Sequence, residues 1–187
     1  MIIVDANIHS DSHKKEMECH YKYYKNASSC IVEIGVLNGD TAKQFAANVS
    51  CPVYGIDPII PDSMNPNLLG SEELIKQSCK NYSNYIFIKD YSYNVSKSWN
   101  KEVDYIFIDG DHTYPAVKKD FEDWIKFVKI GGHISFHDSC VYRKNIYGAG
   151  VGCHGPSIFV EELIKGHPQV EYVESVWSLS VFKKIKG

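Results

Sequence analysis

Residues 104–112 have the sequence Asp-Tyr-Ile-Phe-Ile-Asp-Gly-Asp-His, and this stretch decides the fold class of the chain. An apolar run that ends abruptly in glycine and acids is typical of a strand buried on both faces of a parallel sheet. In an open α/β sheet, ligands bind just beyond the carboxyl ends of such strands. A plain polar turn is the alternative interpretation, but the added histidine favours a functional site that contains Asp109, Asp111 and His112.

Strands and helices alternate along the rest of the chain, which predicts a single α/β domain over residues 1–187 with a mainly parallel sheet between helices. Short apolar runs predict strands at 31–34, 53–57, 85–88, 105–108 and 133–136, and a closing antiparallel pair at 170–173 and 178–182. Apolar spacing and caps predict helices at 12–26, 41–48, 71–81, 114–128 and 156–165. Ser71 is expected to cap the third helix, and the stripe from Val117 to Val128 is expected to pack in the core.

The composition excludes several classes of protein. With 187 residues, of which 44% are hydrophobic, the chain is long enough for one well-buried domain. A net charge of −3 gives no electrostatic footprint for nucleic acid. No apolar run approaches the length of about 18 residues that spans a membrane, and the apolar start at residues 1–4 is too short for a signal peptide. The six cysteines form no Cys-x-x-Cys pair, so we expect free thiols and a cytoplasmic location.

A second candidate site feature is the turn between the first strand and the next helix. It holds Gly35 and Gly39, and their spacing differs from the dinucleotide fingerprint of Rossmann dehydrogenases. Asp57 ends the second strand about 20 residues further on, where an acid can hydrogen-bond ribose hydroxyls. A structural cap is the alternative role for Asp57. Together, the glycine turn and the acid predict a ligand that contains adenosine.

Three segments in this order resemble the class I S-adenosylmethionine-dependent methyltransferases. They are residues 32–41 (Val-Glu-Ile-Gly-Val-Leu-Asn-Gly-Asp-Thr), 107–114 (Phe-Ile-Asp-Gly-Asp-His-Thr-Tyr) and 131–138 (Gly-Gly-His-Ile-Ser-Phe-His-Asp). The closer resemblance is to methyltransferase family 24, the branch of sugar and small-molecule O-methyltransferases, over about residues 28–182. It implies a Rossmann-like three-layer sandwich with a mostly parallel seven-stranded sheet and an antiparallel C-terminal hairpin strand.

The resemblance also implies which residues bind S-adenosylmethionine. Ser92 would lie near the adenine with Asp90 or Tyr91 beside it, although the sequence departs here from the Gly-Asp-Ser that is usual in relatives. The cofactor-binding residues implied in this way are Glu33, Gly35, Asn38, Gly39, Asp40, Thr41, Asp57, Ser92 and Asp109.

In metal-dependent relatives, an acid after the fourth strand and two polar residues after the fifth hold a divalent cation. The matching residues are Asp109, His137 and Asp138, which imply Mg or Mn, and the histidine leans toward Mn, Fe or Zn. His112 stands where the general base of sugar-modifying relatives lies, so His112 and Asp109 are the implied catalytic residues. A surface turn is the alternative role for His112, and Asp111 is expected to support the ligands from behind.

The acceptor implied by the resemblance is a hydroxyl group of a sugar or glycan. A catechol or phenol O-methyltransferase, and a non-catalytic module that binds S-adenosylmethionine, are the alternatives. Residues 1–27 are expected to form an N-terminal helical extension. Residues 139–156 are expected to form an acceptor-side loop with Tyr142, Arg143 and Tyr147. His154 in this loop is expected at the surface, and a place in the site is the alternative. No nucleic-acid or membrane partner is expected, and a homo-oligomer could complete the pocket.

Overall fold

The computed structural model describes residues 11–61, 63, 66–139 and 154–187. The strands are β1 (Ile31–Ile34), β2 (Val53–Ile56), β3 (Tyr85–Ile88), β4 (Val103–Ile108), β5 (Val128–Phe136), β6 (Val170–Val176) and β7 (Leu179–Lys184). The helices are α1 (Asp11–Tyr24), α2 (Asp40–Asn48), α3 (Glu72–Cys79), α4 (Ser92–Ser98), α5 (Tyr114–Trp124) and α6 (His154–Lys165). The predicted acceptor-side loop, with Tyr142, Arg143 and Tyr147, lies almost entirely outside the described residues.

The seven strands form one sheet in the order β3-β2-β1-β4-β5-β7-β6. The first five strands are parallel, whereas β7 pairs with both β5 and β6 in antiparallel fashion. The predicted Rossmann-like fold, with its mostly parallel sheet and antiparallel C-terminal hairpin, is therefore confirmed. Strand order reverses between β1 and β4, and ligands bind at such a switch point in open α/β sheets.

The register of the central strands sets the position of the site. Ile34, the last residue of β1, lies level with Ile56 of β2 and Ile108 of β4, and Ile108 lies level with Phe136 of β5. All of these residues are buried, because helices cover both faces of the sheet. The residue that follows each strand therefore emerges at the same edge of the sheet.

Helix α5 is shorter than the apolar stripe predicts. It ends at Trp124, and a 3₁₀ turn over Ile125–Phe127 follows before β5 begins at Val128. The whole stripe is buried as expected, but its last residues belong to the turn and the strand. Gly131 and Gly132, which fall between the predicted helix and the predicted strand at 133–136, lie within β5, and Gly131 has a φ of 86°.

Helix α4 was missing from the sequence prediction. Its seven residues, Ser-Tyr-Asn-Val-Ser-Lys-Ser, contain a single aliphatic side chain and show no helical apolar period. The predicted acceptor-side loop also extended too far, because helix α6 already begins at His154, which is exposed as expected. Helix α1 packs on the sheet, where His20 is fully buried and its Nδ1 lies 2.5 Å from the Tyr105 hydroxyl.

No helix in the described part of the chain combines the length and apolarity that a membrane span requires.

Candidate active site

The turn after β1 brings two strands into close backbone contact. Gly35 has a φ of 85°, and a Cβ built at this position would lie 2.1 Å from the carbonyl oxygen of Asp109. Any other residue would displace the backbone at the end of β4. Gly39, with a φ of 86°, then starts helix α2, and Asp40 and Thr41 form its first turn. The predicted glycine turn therefore packs against the backbone of Asp109, the predicted catalytic residue directly after β4.

Asp57 holds this turn in place. Its Oδ2 accepts hydrogen bonds from the backbone N–H groups of Val36 at 2.8 Å and Leu37 at 3.1 Å. Its Oδ1 accepts the N–H of Ile59 at 2.7 Å. Leu37 and Ile59 are both in the left-handed region, with φ of 54° and 55°, which is costly for residues other than glycine. Asp57 therefore has the structural role, holding the turns, that the sequence left as an alternative. Its carboxylate can still accept a further hydrogen bond beyond these three.

Glu33 is a buried acid beneath the turn, and only 1% of it is exposed. Burial raises the pKa of Glu33 well above its ordinary value, and the negative charges of Asp109, Asp57 and Asp40 raise it further. Its Oε2 has no hydrogen-bond partner among the described residues, and the same is true of Asn38 Oδ1. Buried polar atoms are normally paired, so these two atoms indicate a missing hydrogen-bond partner.

Ser92 is buried at the start of α4, and its hydroxyl donates a hydrogen bond to Asp120 Oδ1. Burial raises the pKa of Asp120 to about 7, although the bond from Ser92 opposes the rise. Asp120 lies on α5 directly beside the glycine of the Asp-Gly-Asp-His turn, where a Cβ on Gly110 would be 3.5 Å from Asp120 Oδ2. The sequence prediction missed Asp120. Its signal was an acid within the apolar stripe of α5, four residues before Trp124.

The neighbouring residues Asp90 and Tyr91 lie at the entrance of α4. Asp90 Oδ1 accepts the backbone N–H of Tyr91 at 2.7 Å and the side-chain amide of Asn94 at 3.0 Å. Tyr91 is 40% exposed and stacks on Tyr93 with a ring-centroid distance of 5.1 Å. Asp90 therefore links the residue before α4 to a side chain in the first turn of the helix, and Tyr91 lies at the surface.

The residues after β4 and β5 converge. His112 Nε2 lies 2.9 Å from Asp138 Oδ2 and 3.8 Å from Asp109 Oδ1. His137 Nδ1 lies 3.2 Å from Asp109 Oδ1 and 3.7 Å from Asp138 Oδ2. The structure thus brings together the two predicted catalytic residues and the three predicted metal ligands. Asp138 has a φ of 50°, an unusual conformation that turns its side chain toward the two histidines.

Charge governs the ionisation of this cluster. Burial alone would lower the pKa of His137, but the charge of Asp109, its hydrogen bond to Asp109 and the nearby carboxylates of Asp138 and Glu16 raise it well above the ordinary value. Burial tends to raise the pKa of Asp138, and hydrogen bonds and charge from His112 and His137 hold it far below its usual range. The cluster therefore combines imidazole and carboxylate groups of opposite charge at one edge of the sheet.

Three of these side chains fit a cation. One ligand atom each from Asp109, His137 and Asp138 can be chosen so that all lie within 4.8 Å of one another. Carboxylate oxygen and imidazole nitrogen together suit Mn²⁺, Fe²⁺ or Zn²⁺ more than Mg²⁺, which prefers oxygen alone.

Two residues behind His137 were missed by the sequence prediction. Glu16 of α1 is 5% exposed, and its Oε2 lies 3.7 Å from His137 Nε2. Ser178, in the turn between β6 and β7, places its hydroxyl 3.3 Å from the same nitrogen. Burial raises the pKa of Glu16, and the nearby His137 together with the hydrogen bonds from Ser178 lowers it by more. Only tertiary contacts join these distant segments, so no local sequence signal marks them.

Asp111 bonds to the backbone just before α5 and to the side chain of Ser63. Its Oδ1 accepts the backbone N–H of Thr113 at 2.8 Å, directly before α5 begins. Burial tends to raise the pKa of Asp111, and hydrogen bonds from Ser63 and Thr113 lower it. Asp111 thus fixes the entry to α5, and the predicted support of the metal ligands stays a prediction.

Comparisons with known proteins give a family and a fold. The model of methyltransferase family 24, described as a methyltransferase domain, matches residues 32–139. An uncharacterized protein of Acanthamoeba polyphaga mimivirus is 34% identical over 122 residues, which are 60% of this chain and 52% of that protein. The chain therefore spans about half the length of this curated relative.

Two solved structures share the architecture at low identity. The O-methyltransferase from Bacillus cereus, solved in complex with SAH, is 18% identical with a TM-score of 0.65, over 98% of this chain and 84% of that one. The O-methyltransferase TomG from Streptomyces achromogenes, solved in complex with SAM, is 12% identical with a TM-score of 0.65, over 95% of this chain and 82% of that one. These likenesses agree with the fold described above.

Proposed function

This chain belongs to methyltransferase family 24, and from that premise we propose that it transfers the methyl group of S-adenosylmethionine to a hydroxyl group of a small molecule. The acceptor proposed is a sugar or glycan. The observation that carries the proposal is the convergence of His112 and Asp138, with Nε2 2.9 Å from Oδ2, at the edge where the glycine turn ends. A methyl donor on the turn would face an imidazole that can accept a proton.

The cofactor is proposed to lie along the turns after β1, β2 and β3. Glu33 Oε2 and Asn38 Oδ1, both buried without a partner among the described residues, fit a ligand with hydrogen-bond donors such as the methionine ammonium group. Asp57 is proposed to bind the ribose and Ser92 to lie near the adenine. Gly35, Gly39, Asp40 and Thr41 would shape the entrance, and Asp109 would close it. S-adenosylmethionine supplies an electrophilic methyl group on a sulfonium sulfur.

The chemical task of the protein is to remove a proton from the acceptor. An alcohol is a weaker acid than a phenol, so its activation demands a base and electrostatic help. His112 is proposed as the base, and Asp138 would stabilise the imidazolium that forms, as the carboxylate of a catalytic triad does. A phenol needs less of this help, which is why a sugar-like hydroxyl is preferred.

A divalent cation, with Mn²⁺ favoured over Mg²⁺, is proposed to bind Asp109, His137 and Asp138. Such an ion would lower the pKa of the acceptor hydroxyl and orient it toward the donor. The fit rests on the three ligand atoms within 4.8 Å and on the oxygen and nitrogen donor set.

An acceptor screen tests the proposed function. The purified chain is incubated with methyl-labelled S-adenosylmethionine and Mn²⁺ against panels of deoxysugars, glycans and catechols. We expect label on the sugar or glycan panel, and loss of that label when EDTA is added. Label only on catechols would refute the sugar acceptor. Full turnover in EDTA would remove the cation and leave His112 as the base, and tight donor binding without transfer to any panel would favour a non-catalytic binding module.

A further inference from the structure

The geometry points to Glu16 and Ser178 as positioning residues that act through His137. We infer that they hold a proton on His137 Nε2, so that Nδ1 is the nitrogen left to bind the proposed cation beside Asp109 and Asp138. This inference rests on the proposed function, because it concerns the ligand atom of the proposed cation site. Metal-ligating histidines usually donate their second N–H to a carboxylate, carbonyl or water, which fixes the orientation of the ring.

The direction of each hydrogen bond follows from its partners. Glu16 Oε1 accepts the backbone N–H of Ser178 at 2.9 Å, so this oxygen acts as an acceptor. The Ser178 hydroxyl lies 2.6 Å from the same oxygen and must donate its single proton there. At His137 Nε2, 3.3 Å away, the hydroxyl has only lone pairs to offer. Nε2 must therefore carry the proton in that contact.

The carboxylate of Glu16 reinforces this arrangement. Its second oxygen, Oε2, lies 3.7 Å from His137 Nε2 and places negative charge on the side of the ring away from the acids. His137 is thus flanked by a carboxylate on each side, with Nδ1 3.2 Å from Asp109 Oδ1. The sheet positions Asp109 and His137, whereas α1 and the hairpin turn before β7 supply Glu16 and Ser178.

Glu16 also ties α1 to the C-terminal hairpin, so a purely structural role has to be separated from the positioning role. A second contact between α1 and the C-terminal hairpin, made by Glu174, provides a matched control for Glu16. Glu174 of β6 accepts a hydrogen bond from the Tyr23 hydroxyl and pairs with Lys22 Nζ at 2.7 Å. Among the described residues, Glu174 pairs with Tyr23 and Lys22 and not with a histidine, so a substitution there loosens α1 without changing the partner of His137.

The test uses Mn²⁺ binding, read from the electron paramagnetic resonance of free Mn²⁺ in the absence of donor and acceptor. In Glu16→Gln, the amide oxygen can still accept from Ser178, but an NH₂ group would face His137 Nε2 and favour the opposite tautomer. We expect about 10–100-fold weaker Mn²⁺ binding in Glu16→Gln. Ser178→Ala keeps the backbone tie and should lose a smaller factor, and Glu174→Gln should bind Mn²⁺ as the wild type does.

A spectroscopic reading completes the test. In the wild-type chain loaded with Zn²⁺, ¹⁵N NMR should show His137 protonated at Nε2 and coordinated through Nδ1. Unchanged Mn²⁺ affinity in Glu16→Gln, or an equal loss in Glu174→Gln, would overturn the positioning role alone. Absence of Mn²⁺ binding in the wild type would overturn both this inference and the proposed cation site, while donor binding and methyl transfer would still report on the rest of the proposed function.

Discussion

Two halves of the site are built by different means. In the cofactor half, residues 33–41, 57 and 92, backbone N–H groups and glycines set the shape, and Asp57 holds the turns through three N–H bonds. In the acceptor half, residues 109–112 and 137–138, the contacts join charged side chains to one another. The cofactor half is therefore organised by local chain geometry, and the acceptor half by packing between distant elements.

This difference has a consequence for mutation. A side-chain change in the cofactor half should alter the affinity for the donor, because the turns themselves form the binding surface. A change in the acceptor half should alter turnover with little effect on donor affinity. His112 and Asp57 provide tests of this separation. Asp120, which lies between Ser92 of the cofactor half and Gly110 of the acceptor half, provides a test of the charge buried between them.

The largest expected effect belongs to His112→Ala. Without a positioned base, turnover should fall by about 10²–10⁴-fold, because general base catalysis typically contributes that factor. The Kd for S-adenosylmethionine, measured by calorimetry, should stay within about twofold of the wild-type value, since His112 contacts the acids of the acceptor half. Equal losses in turnover and donor affinity would contradict the base role. They would also show that the acceptor half contributes to donor binding.

The second prediction concerns pH and Asp120, whose pKa is raised to about 7 by burial. Between about pH 4 and pH 7, the unfolded chain has released this proton while the folded chain retains it, so stability falls as pH rises through that window. From pH 5 to pH 8 the wild type should lose about 2–3 kcal/mol from this group. Asp120→Asn should remove this loss, as followed by urea denaturation at both pH values.

Glu122→Gln is the control for Asp120, because Glu122 lies on the same helix with a side chain that is 60% exposed. This variant should keep the pH dependence of the wild type. Parallel curves for wild type and Asp120→Asn would show that Asp120 does not hold a proton in the folded chain.

The third prediction concerns Asp57→Ala. Hydrogen bonds to charged groups contribute about 1.5–3 kcal/mol, so loss of the carboxylate should weaken S-adenosylmethionine binding by about 10–100-fold. Turnover at saturating donor should change much less. Fluorescence or calorimetric titration of the donor measures the first effect, and initial rates measure the second. Unchanged affinity would remove Asp57 from the ribose site and leave it as a structural cap only.

The sequence predicts most of the fold because the signals are local. Strands β1, β2 and β4 are mainly apolar runs that stop at a glycine or an acid. Ser71 caps α3 by accepting the N–H of Leu74 at 3.3 Å, as expected. Helix α4 was not predicted, because its mostly polar sequence shows no helical spacing of apolar residues. The start of β5 at Val128 was not predicted, because the buried stripe continues from helix into strand without a change in hydrophobicity.

The candidate site could be predicted only in part, for a related reason. Residues directly after the strands, such as Asp109 and His137, follow from the shared edge of the parallel sheet. Glu16 and Ser178 are 162 residues apart, and their contact depends on how α1 packs against the hairpin. Asp120 was hidden in a stripe that otherwise predicts core packing. Tertiary contacts of this kind produce no recognisable pattern in the sequence.

Methyl transfer requires that a donor bound in the cofactor half faces the acceptor half across a gap that admits one hydroxyl group. A crystal structure with S-adenosylhomocysteine and Mn²⁺ tests this claim most directly. We expect the ribose on Asp57, and the sulfur directed at the space beside His112 and Asp138, with room for an acceptor oxygen about 3–3.5 Å from the transferred methyl. A sulfur atom that points away from His112, or a gap closed by side chains, would contradict the account.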